Sequence, residues 1–369
     1  MRFRVFTSVL VAAAFATGAR ADTLEIGGQK VYYESCGQGP AVVLLHDGLM
    51  HSVTWDGVWS QLCAKFHVVR YDRRGYGRSE VPKERFSPSD DLDALLNQLK
   101  LPRVVLVGNS SGGALALDYA LDHPGRVQAL FLIGPVVHGM LDSAHFLRRG
   151  NENNAPLEKG DVKGTAELWS KDRYQIAPGH EAARKQLYDA LVENPKNLRY
   201  PGGLEIRLSA VGRLDSIHVP TMIFSGEYDI PDVQAYCGAI AYGIPDSRRG
   251  IISGAGHLAQ VDSPEEVLKR LIPFVQRNHD PEVPVSIRAL ESYAGQYKRD
   301  STTFTLLLRG NRLMLAYPGL PEFGLYGEAE NKFRIRVDDS DIEFERDASG
   351  KVTQAIVNQG GNITKCPRV

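Results

Sequence analysis

Between Val104 and Gly113 the chain reads Val-Val-Leu-Val-Gly-Asn-Ser-Ser-Gly-Gly, an apolar, β-branched run that breaks at Gly108 and passes into small residues of helical character. A strand that must turn at once into a helix narrows the folds open to the chain. Gly108-Asn109-Ser110-Ser111-Gly112 fits G-x-S-x-G, and between a predicted strand and a predicted helix that pattern holds a serine on a strained turn. A serine hydroxyl is a poor nucleophile until it is lifted clear of its neighbours and given a base. The glycines two before and two after Ser110 leave room for a side chain at unfavourable φ, and Gly113 lets the helix approach the sheet. A plain Gly/Ser-rich turn has the same pattern, so the rest of the chain must decide.

Strand and helix alternate around this stretch. Residues 24–26, 30–34, 41–46 and 66–72 read as strands, and Trp55, Val58, Trp59 and Leu62 share one face at helical spacing. Ser87-Pro88-Ser89-Asp90 opens a helix with a capping hydroxyl, a proline at the first position and an acid in the first turn. Leu92, Leu95, Leu96 and Leu99 give that helix its apolar stripe. Strands return at 130–133, 221–225 and 250–253, and Ser263-Pro264-Glu265-Glu266 starts a last helix ending near Val275. Such alternation implies right-handed crossovers and a mostly parallel sheet covered on both faces. Reacting groups then belong at the carboxyl ends of strands, where His46, Ser110 and Asp229 fall. From His138 to about Ile217 the strand rhythm stops, and polar helical segments around 165–173 and 181–193 read as a helical cap. Its Trp169, Tyr174, Leu187 and Tyr188, with Met140 and Phe146, line an acyl pocket or form the cap's own core.

A nucleophilic serine needs a base, and the base needs an acid to fix its tautomer. Asp229 and His257 follow Ser110 in the order nucleophile, acid, histidine, each in the loop after a predicted strand. His257 is singled out from ten histidines by its place in Gly254-Ala255-Gly256-His257, directly after the last strand of the alternation. Asp229 competes with Glu227 and with Asp232, the latter expected to cap a helix. His46 is expected to support the loop that it begins. The oxyanion of a tetrahedral intermediate needs two backbone N–H donors: Ser111, and from the His46 loop Gly48, with Leu49 the alternative.

His46-Asp47-Gly48, Asp72-x-Arg74-Gly75-x-Gly77-x-Ser79, Gly108-x-Ser110-x-Gly112-Gly113, Gly226-Glu227-x-Asp229 and Gly254-x-Gly256-His257 together resemble the α/β-hydrolase superfamily over about residues 22–278. The group most similar is that of small esterases, enol-lactonases and cofactor-free haloperoxidases. The resemblance implies an α/β fold with a mostly parallel eight-stranded sheet, and it favours Asp229 over Glu227. Asp47 departs from the pattern, which usually has glycine there; a carboxylate beside the oxyanion site opposes catalysis unless it points away. Serine at 110 argues against the haloalkane dehalogenase and epoxide hydrolase branches, which use aspartate.

Asp280-Pro281-Glu282-Val283-Pro284 reads as part of a linker over 279–286. Beyond it Phe333 and Ile335 alternate with Arg334 and Arg336, and Ile342 and Phe344 with Glu343 and Glu345, with turns at Gly310-Asn311, Ser349-Gly350 and Gly360-Gly361. Residues 287–369 are therefore expected to form a small antiparallel β domain. Tyr293-Ala294-Gly295-Gln296-Tyr297 and the stretch 344–352 resemble the β domain of unknown function that follows some serine-β-lactamase-like hydrolases.

At the other end, Arg2 and Arg4 precede an apolar segment from Val5 to Ala16 and then Ala19-Arg20-Ala21, the order of a secretory signal cleaved after Ala21. That segment is shorter than the ~20 residues needed to span a bilayer, so export to the periplasm or medium is expected, with no membrane span in the mature chain. Its removal takes the formal charge from −1 to −4, a balance that suggests no nucleic acid partner. Export permits disulfides, and Cys36, Cys63, Cys237 and Cys366 allow three pairings. The expected topology puts Cys36 and Cys63 at the same end of the sheet, so that pair is anticipated, with free buried thiols the alternative. No H-E-x-x-H, paired C-x-x-C or supported G-x-G-x-x-G occurs, so neither a metal nor a cofactor is expected. The expectation is a serine hydrolase cleaving a small carboxylic ester or lactone through an acyl-enzyme on Ser110. The alternatives are a peroxide-using perhydrolase or haloperoxidase with the same three residues, and a non-catalytic protein binding a ligand beneath the cap. The substrate's identity, the oligomeric state and the role of the β domain are not legible in the sequence.

Overall fold

The structure, a computed structural model, describes residues 19–199 and 204–369. Most of the expected leader lies outside the described residues. Arg20 and Ala21 are described and open the first strand, opposite Ser35 and Glu34. Among the described residues no helix is long and apolar enough to cross a membrane.

The first sheet grows from short buried runs separated by amphipathic helices. In chain order these are β1 (Arg20–Ile26), β2 (Gln29–Cys36), β3 (Ala41–Leu45), α1 (Asp56–Cys63), β4 (His67–Tyr71), α2 (Pro88–Gln98), β5 (Val104–Asn109), α3 (Ser111–Asp122) and β6 (Val127–Ile133). The cap then inserts α4 (Ala144–Asn154), α5 (Val162–Lys171) and α6 (Glu181–Glu193) before β7 (Thr221–Gly226), α7 (Pro231–Gly243), β8 (Ser247–Ile252), the short α8 (Ala259–Asp262) and α9 (Pro264–His279). The eight strands stand in the order β1-β2-β4-β3-β5-β6-β7-β8. β1, β2 and β4 pair antiparallel and every later pair is parallel. Strands β3 and β5 have helices on both faces, so every residue from Val104 to Asn109 is buried and the strand reads as one apolar run. Cys36 and Cys63 are disulfide-bonded, tying the end of β2 to the end of α1, whereas Cys237 and Cys366 are buried thiols.

The elements depart from expectation in three places. β8 begins three residues before the expected Gly250, because Arg248 and Arg249 lie on an edge strand whose outer row faces solvent and so carries no apolar signal. α4 is polar almost throughout and buries only Arg149 among its residues, which hides its periodicity. The last helix of the sheet domain continues past Val275 to His279, carrying Pro273 inside it.

The C-terminal unit starts with a short helix rather than a strand, α10 (Ile287–Tyr293), capped by the Ser286 hydroxyl. Eight strands follow: β9 (Gly295–Arg299), β10 (Thr302–Arg309), β11 (Arg312–Ala316), β12 (Phe323–Ala329), β13 (Lys332–Ile335), β14 (Ser340–Arg346), β15 (Val352–Gln359) and β16 (Asn362–Pro367). Each pairs antiparallel with the next in a meander. Past β16 the Arg368 backbone bridges Tyr297 and the Val369 N–H donates to the Gln296 carbonyl at 2.9 Å, so the meander curls round and meets its own first strand.

The two units are joined through a buried polar contact. Asp246, between α7 and β8, accepts the Tyr326 hydroxyl at 2.6 Å and the Gly324 N–H at 3.0 Å, and its own N–H donates to Glu322 O at 2.7 Å. Arg312 and Arg336 flank the Tyr326 ring at 4.0 and 4.2 Å. Burial pushes the Asp246 carboxyl up to about 6 despite these donors and cations. An acid raised on folding binds its proton more tightly in the folded chain, so stability falls as pH rises from about 4 to about 6 and is level above that. The Asp246 backbone is also left-handed, at φ 57, where asparagine is favoured over most residues. Asp246→Asn is therefore expected to be at least as stable as wild type at pH 7 and to lose the decline between pH 4 and 6; urea unfolding at several pH values reads both, and a variant clearly weaker at pH 7 would contradict it.

Candidate active site

The chain leaves β5 and enters α3 at Ser110, whose φ of 54° and ψ of −119° are outside the regions a side chain favours. The strain persists because the turn is overdetermined. Ser110 N–H donates to Ile133 O at 3.0 Å, Val136 N–H to Ser110 O at 3.3 Å, and Ala114 N–H to Ser110 O at 3.0 Å. A Cβ on Gly112 would lie 2.2 Å from Leu45 O, so it is Gly112 that lets α3 lie close to β3. Gly113 also sits close to the sheet: a Cβ on Gly108 of β5 would lie 2.8 Å from its Cα, and one on Gly113 itself would meet Pro135 at 2.8 Å.

Asp229 and His257 come from the loops after β7 and β8. His257 Nδ1 donates to Asp229 Oδ1 at 2.8 Å, and the same oxygen accepts the Ile230 N–H at 2.7 Å. Both residues are buried, and Asp229 is only 2% exposed. Gly134, at the end of β6 with φ 48°, lies against this pair: a Cβ there would be 2.9 Å from both Asp229 Oδ2 and His257 Nδ1. The rivals of Asp229 are engaged elsewhere. Glu227 is exposed and accepts the Gly254 N–H at 2.9 Å, while Asp232 stands inside the first turn of α7, not at its cap, and receives the N–H and hydroxyl of Ser143.

Asn109, a variable position of the serine motif, connects the two halves. Its Nδ2 donates to Ile133 O at 2.8 Å and to His257 O at 3.0 Å, and its Oδ1 accepts Gln260 Nε2 at 3.1 Å. Asp262 steadies the histidine turn from the other side, accepting Gly256 N–H at 2.8 Å and Ala177 N–H at 3.0 Å, and burial raises its carboxyl. No hydrogen bond joins Ser110 Oγ to His257 among the described residues, a looseness common in apo sites. Asn109→Ala is expected to lower kcat about 10- to 100-fold with KM little changed, since small misplacements of a base are costly. A kinetic comparison in which KM alone moved would contradict that role.

The loop after β3 is held by its own polar groups. His46 is fully buried, and its Nε2 accepts the Arg73 N–H at 3.0 Å while its Nδ1 faces Asp47 O at 2.7 Å. Burial and the Arg73 charge keep this imidazole neutral, its pKa well below the ordinary value. Asp47, 2% exposed, turns its Oδ1 along the loop to accept Leu49 N–H at 2.7 Å and Met50 N–H at 2.8 Å. That occupies Leu49. The Gly48 N–H has no partner among the described residues, and a Cβ on Gly48 would stand 3.4 Å from Ser111 Oγ. Ser111 opens α3, where an N–H has no intrahelical acceptor. Burial alone would raise the Asp72 carboxyl, but Arg78 and hydrogen bonds from that arginine and Ser52 hold it at about 2, and this fixes the next loop.

Arg73 completes the surroundings. Its Nη2 donates to Asp47 O and to Ser111 Oγ, both at 2.8 Å, which places a buried guanidinium beside the Ser110 turn. It lines a cavity of about 380 Å³ together with Ser111, Val136, His138, Met140 and Phe146. Of the cap residues weighed above, Trp169 and Leu187 belong to the cap's own core, and Tyr174 contributes its carbonyl to the His257 N–H at 2.7 Å.

The sequence pattern of the alpha/beta hydrolase fold matches residues 40–206. The chain is 26% identical over 274 residues to 2-hydroxy-6-oxo-6-phenylhexa-2,4-dienoate hydrolase of Comamonas testosteroni, covering 67% of this chain and 91% of that protein. It is 26% identical over 276 residues to pimeloyl-[acyl-carrier protein] methyl ester esterase of Nitrosospira multiformis, covering 68% of this chain and all of that one. Among solved structures, the N-acyl homoserine lactone degrading enzyme Est816 matches with a TM-score of 0.57 at 26% identity over 69% of this chain and 100% of its own. A thermophilic esterase from Thermogutta terrifontis has the same fold, with a TM-score of 0.62 at 23% identity over 70% of this chain and 99% of its own. The chain has the alpha/beta hydrolase fold, with the family's sequence pattern over residues 40–206.

Proposed function

We propose that this protein is a serine hydrolase that cleaves a small carboxylic ester or lactone through an acyl-enzyme on Ser110. The observation that carries the reading is the buried Asp229–His257 hydrogen bond of 2.8 Å, set beside a serine held at φ 54°. Asp229 keeps the proton on Nδ1, which leaves His257 Nε2 to take the Ser110 proton as Oγ attacks the carbonyl carbon. Negative charge gathers on the carbonyl oxygen, and the N–H groups of Gly48 and Ser111 receive it. His257 returns the proton to the leaving alkoxide, then removes one from water, whose oxygen attacks the acyl carbon and frees Ser110. The relatives that act on a methyl ester and on a lactone support the substrate class, and the cavity of about 380 Å³ that Arg73 and Ser111 line, one residue on from Ser110, has room for a small acyl group. The Cys36–Cys63 bond supports export, since disulfides persist in oxidising compartments.

A fluorophosphonate probe followed by peptide mapping tests the mechanism. Label on the Ser110 peptide alone is the expected result. A folded protein that takes no label, or takes it elsewhere, would overturn the assignment.

A further inference from the structure

The C-terminal barrel has one closed end and one open end. α10 closes the first: Leu290 and Tyr293 are buried, the Tyr293 ring stacks on Phe344 at 4.2 Å, and its hydroxyl donates to Glu330 O at 3.1 Å. Aromatic and aliphatic side chains from alternate positions fill the interior beyond, among them Phe304, Leu313, Phe333 and Ile342. At the other end the inward rows stop short, and a cavity of about 430 Å³ remains between the strand ends and edge strand β8 of the first sheet. Its floor is apolar, made by Leu315, Phe323, Ile335 and Val357, while Arg248, Arg249 and Arg299 stand around it.

These arginines are unevenly satisfied. Arg248 is ion-paired with Asp338, and Arg299 donates to the Tyr317 hydroxyl at 3.4 Å and to Gln359 Oε1 at 3.1 Å. Arg249 has no carboxylate within ion-pair reach among the described residues. A second polar group is also unmet. Ser340, 6% exposed and on the inward side of β14 with Ile342 and Phe344, has an Oγ without a hydrogen-bond partner among the described residues. Buried polar groups are normally bonded, and an orphan lining a cavity marks a place where a ligand or water supplies the partner. Closed eight-stranded antiparallel barrels leave room at the mouth for one small molecule.

We propose that the barrel mouth is a second binding site, separate from the cavity lined by Arg73 and Ser111, for a small amphiphilic anion. An apolar chain lies against Leu315, Phe323, Ile335 and Val357, and a carboxylate meets Arg249 and Arg299. The proposal does not depend on the chemistry at Ser110, because none of its residues touches that site. Decanoate is the probe, titrated calorimetrically into the full-length protein with decan-1-ol as the uncharged control. About one equivalent of decanoate is expected to bind, at least about tenfold more tightly than the alcohol, since a charge-assisted contact contributes that much or more. Arg249→Glu, on an exposed strand edge, and separately Arg299→Ala, are expected to weaken decanoate at least about tenfold while ester hydrolysis stays unchanged. Absence of binding, equal binding of the alcohol, or decanoate binding unaltered in both variants would each overturn the proposal; the last would place the ligand away from the barrel mouth.

Discussion

Ser110→Ala is expected to remove ester turnover, lowering kcat by roughly five to six orders of magnitude, and to leave the fold intact. The two halves of this statement rest on different observations. Loss of rate follows because no other hydroxyl occupies the strained turn: Ser111 Oγ, one residue on, is bonded to Arg73. Retention of fold follows because no hydrogen bond ties Ser110 Oγ to another group among the described residues, so its deletion strands no buried group. A further substitution separates strain from chemistry. At φ 54° and ψ −119° a side chain costs about 1–3 kcal/mol that glycine largely avoids, so Ser110→Gly should be as inactive as the alanine variant yet melt above wild type. Esterase assays with thermal melts of the three proteins read both quantities. Residual activity near wild type would dismiss Ser110, and a glycine variant less stable than wild type would dismiss the stored strain.

The residues that meet at the site differ in how they could be read from the sequence. Ser110, Asp229 and His257 each follow a strand at a glycine-marked turn, so local pattern and chain order were enough to nominate them. The residues that hold them were not marked in this way. Asn109 reaches Ile133 and His257, 24 and 148 positions away, and a spacing of that kind has no local periodicity. Arg73 lies inside a legible loop motif, yet its direction toward Ser111 depends on the packing of β3 against β4. Asp47 departs from the family pattern, and its neighbours were not legible either: its Oδ1 accepts the Leu49 and Met50 N–H groups, which leaves the Gly48 N–H as the oxyanion donor proposed above.

The β domain shows the same division. Alternating pairs such as Phe333 with Ile335 and the glycine turns disclosed its strands. The closing contact between Arg368 and Tyr297, and the mouth set against β8, join segments far apart in sequence. α10 was missed because it is a single short helix inserted where the linker's turn residues dominate the pattern.

Asp229→Asn is expected to lower kcat by about four orders of magnitude, for a reason specific to the hydrogen bonds at this carboxylate. Oδ1 takes two donors, the Ile230 N–H and His257 Nδ1, while Oδ2 is buried and has no partner among the described residues. An asparagine has two orientations. With its oxygen at the Oδ1 position the histidine keeps its tautomer, but the amide NH₂ is buried where it finds no acceptor. With the NH₂ at that position it opposes the Ile230 N–H and donates to Nδ1, which forces the proton onto Nε2 and removes the base from Ser110. Neither orientation supplies the negative charge that steadies the imidazolium in the transition state. The neutral side chain carries no buried charge, so the variant should fold. Glu227→Gln and Asp232→Asn serve as controls and should stay within about twofold of wild type, because surface substitutions away from a site have small effects. Ester hydrolysis by the three variants decides the assignment: an active Asp229→Asn beside an inactive Glu227→Gln would move the acid to Glu227 and require the loop after β7 to rearrange when substrate binds.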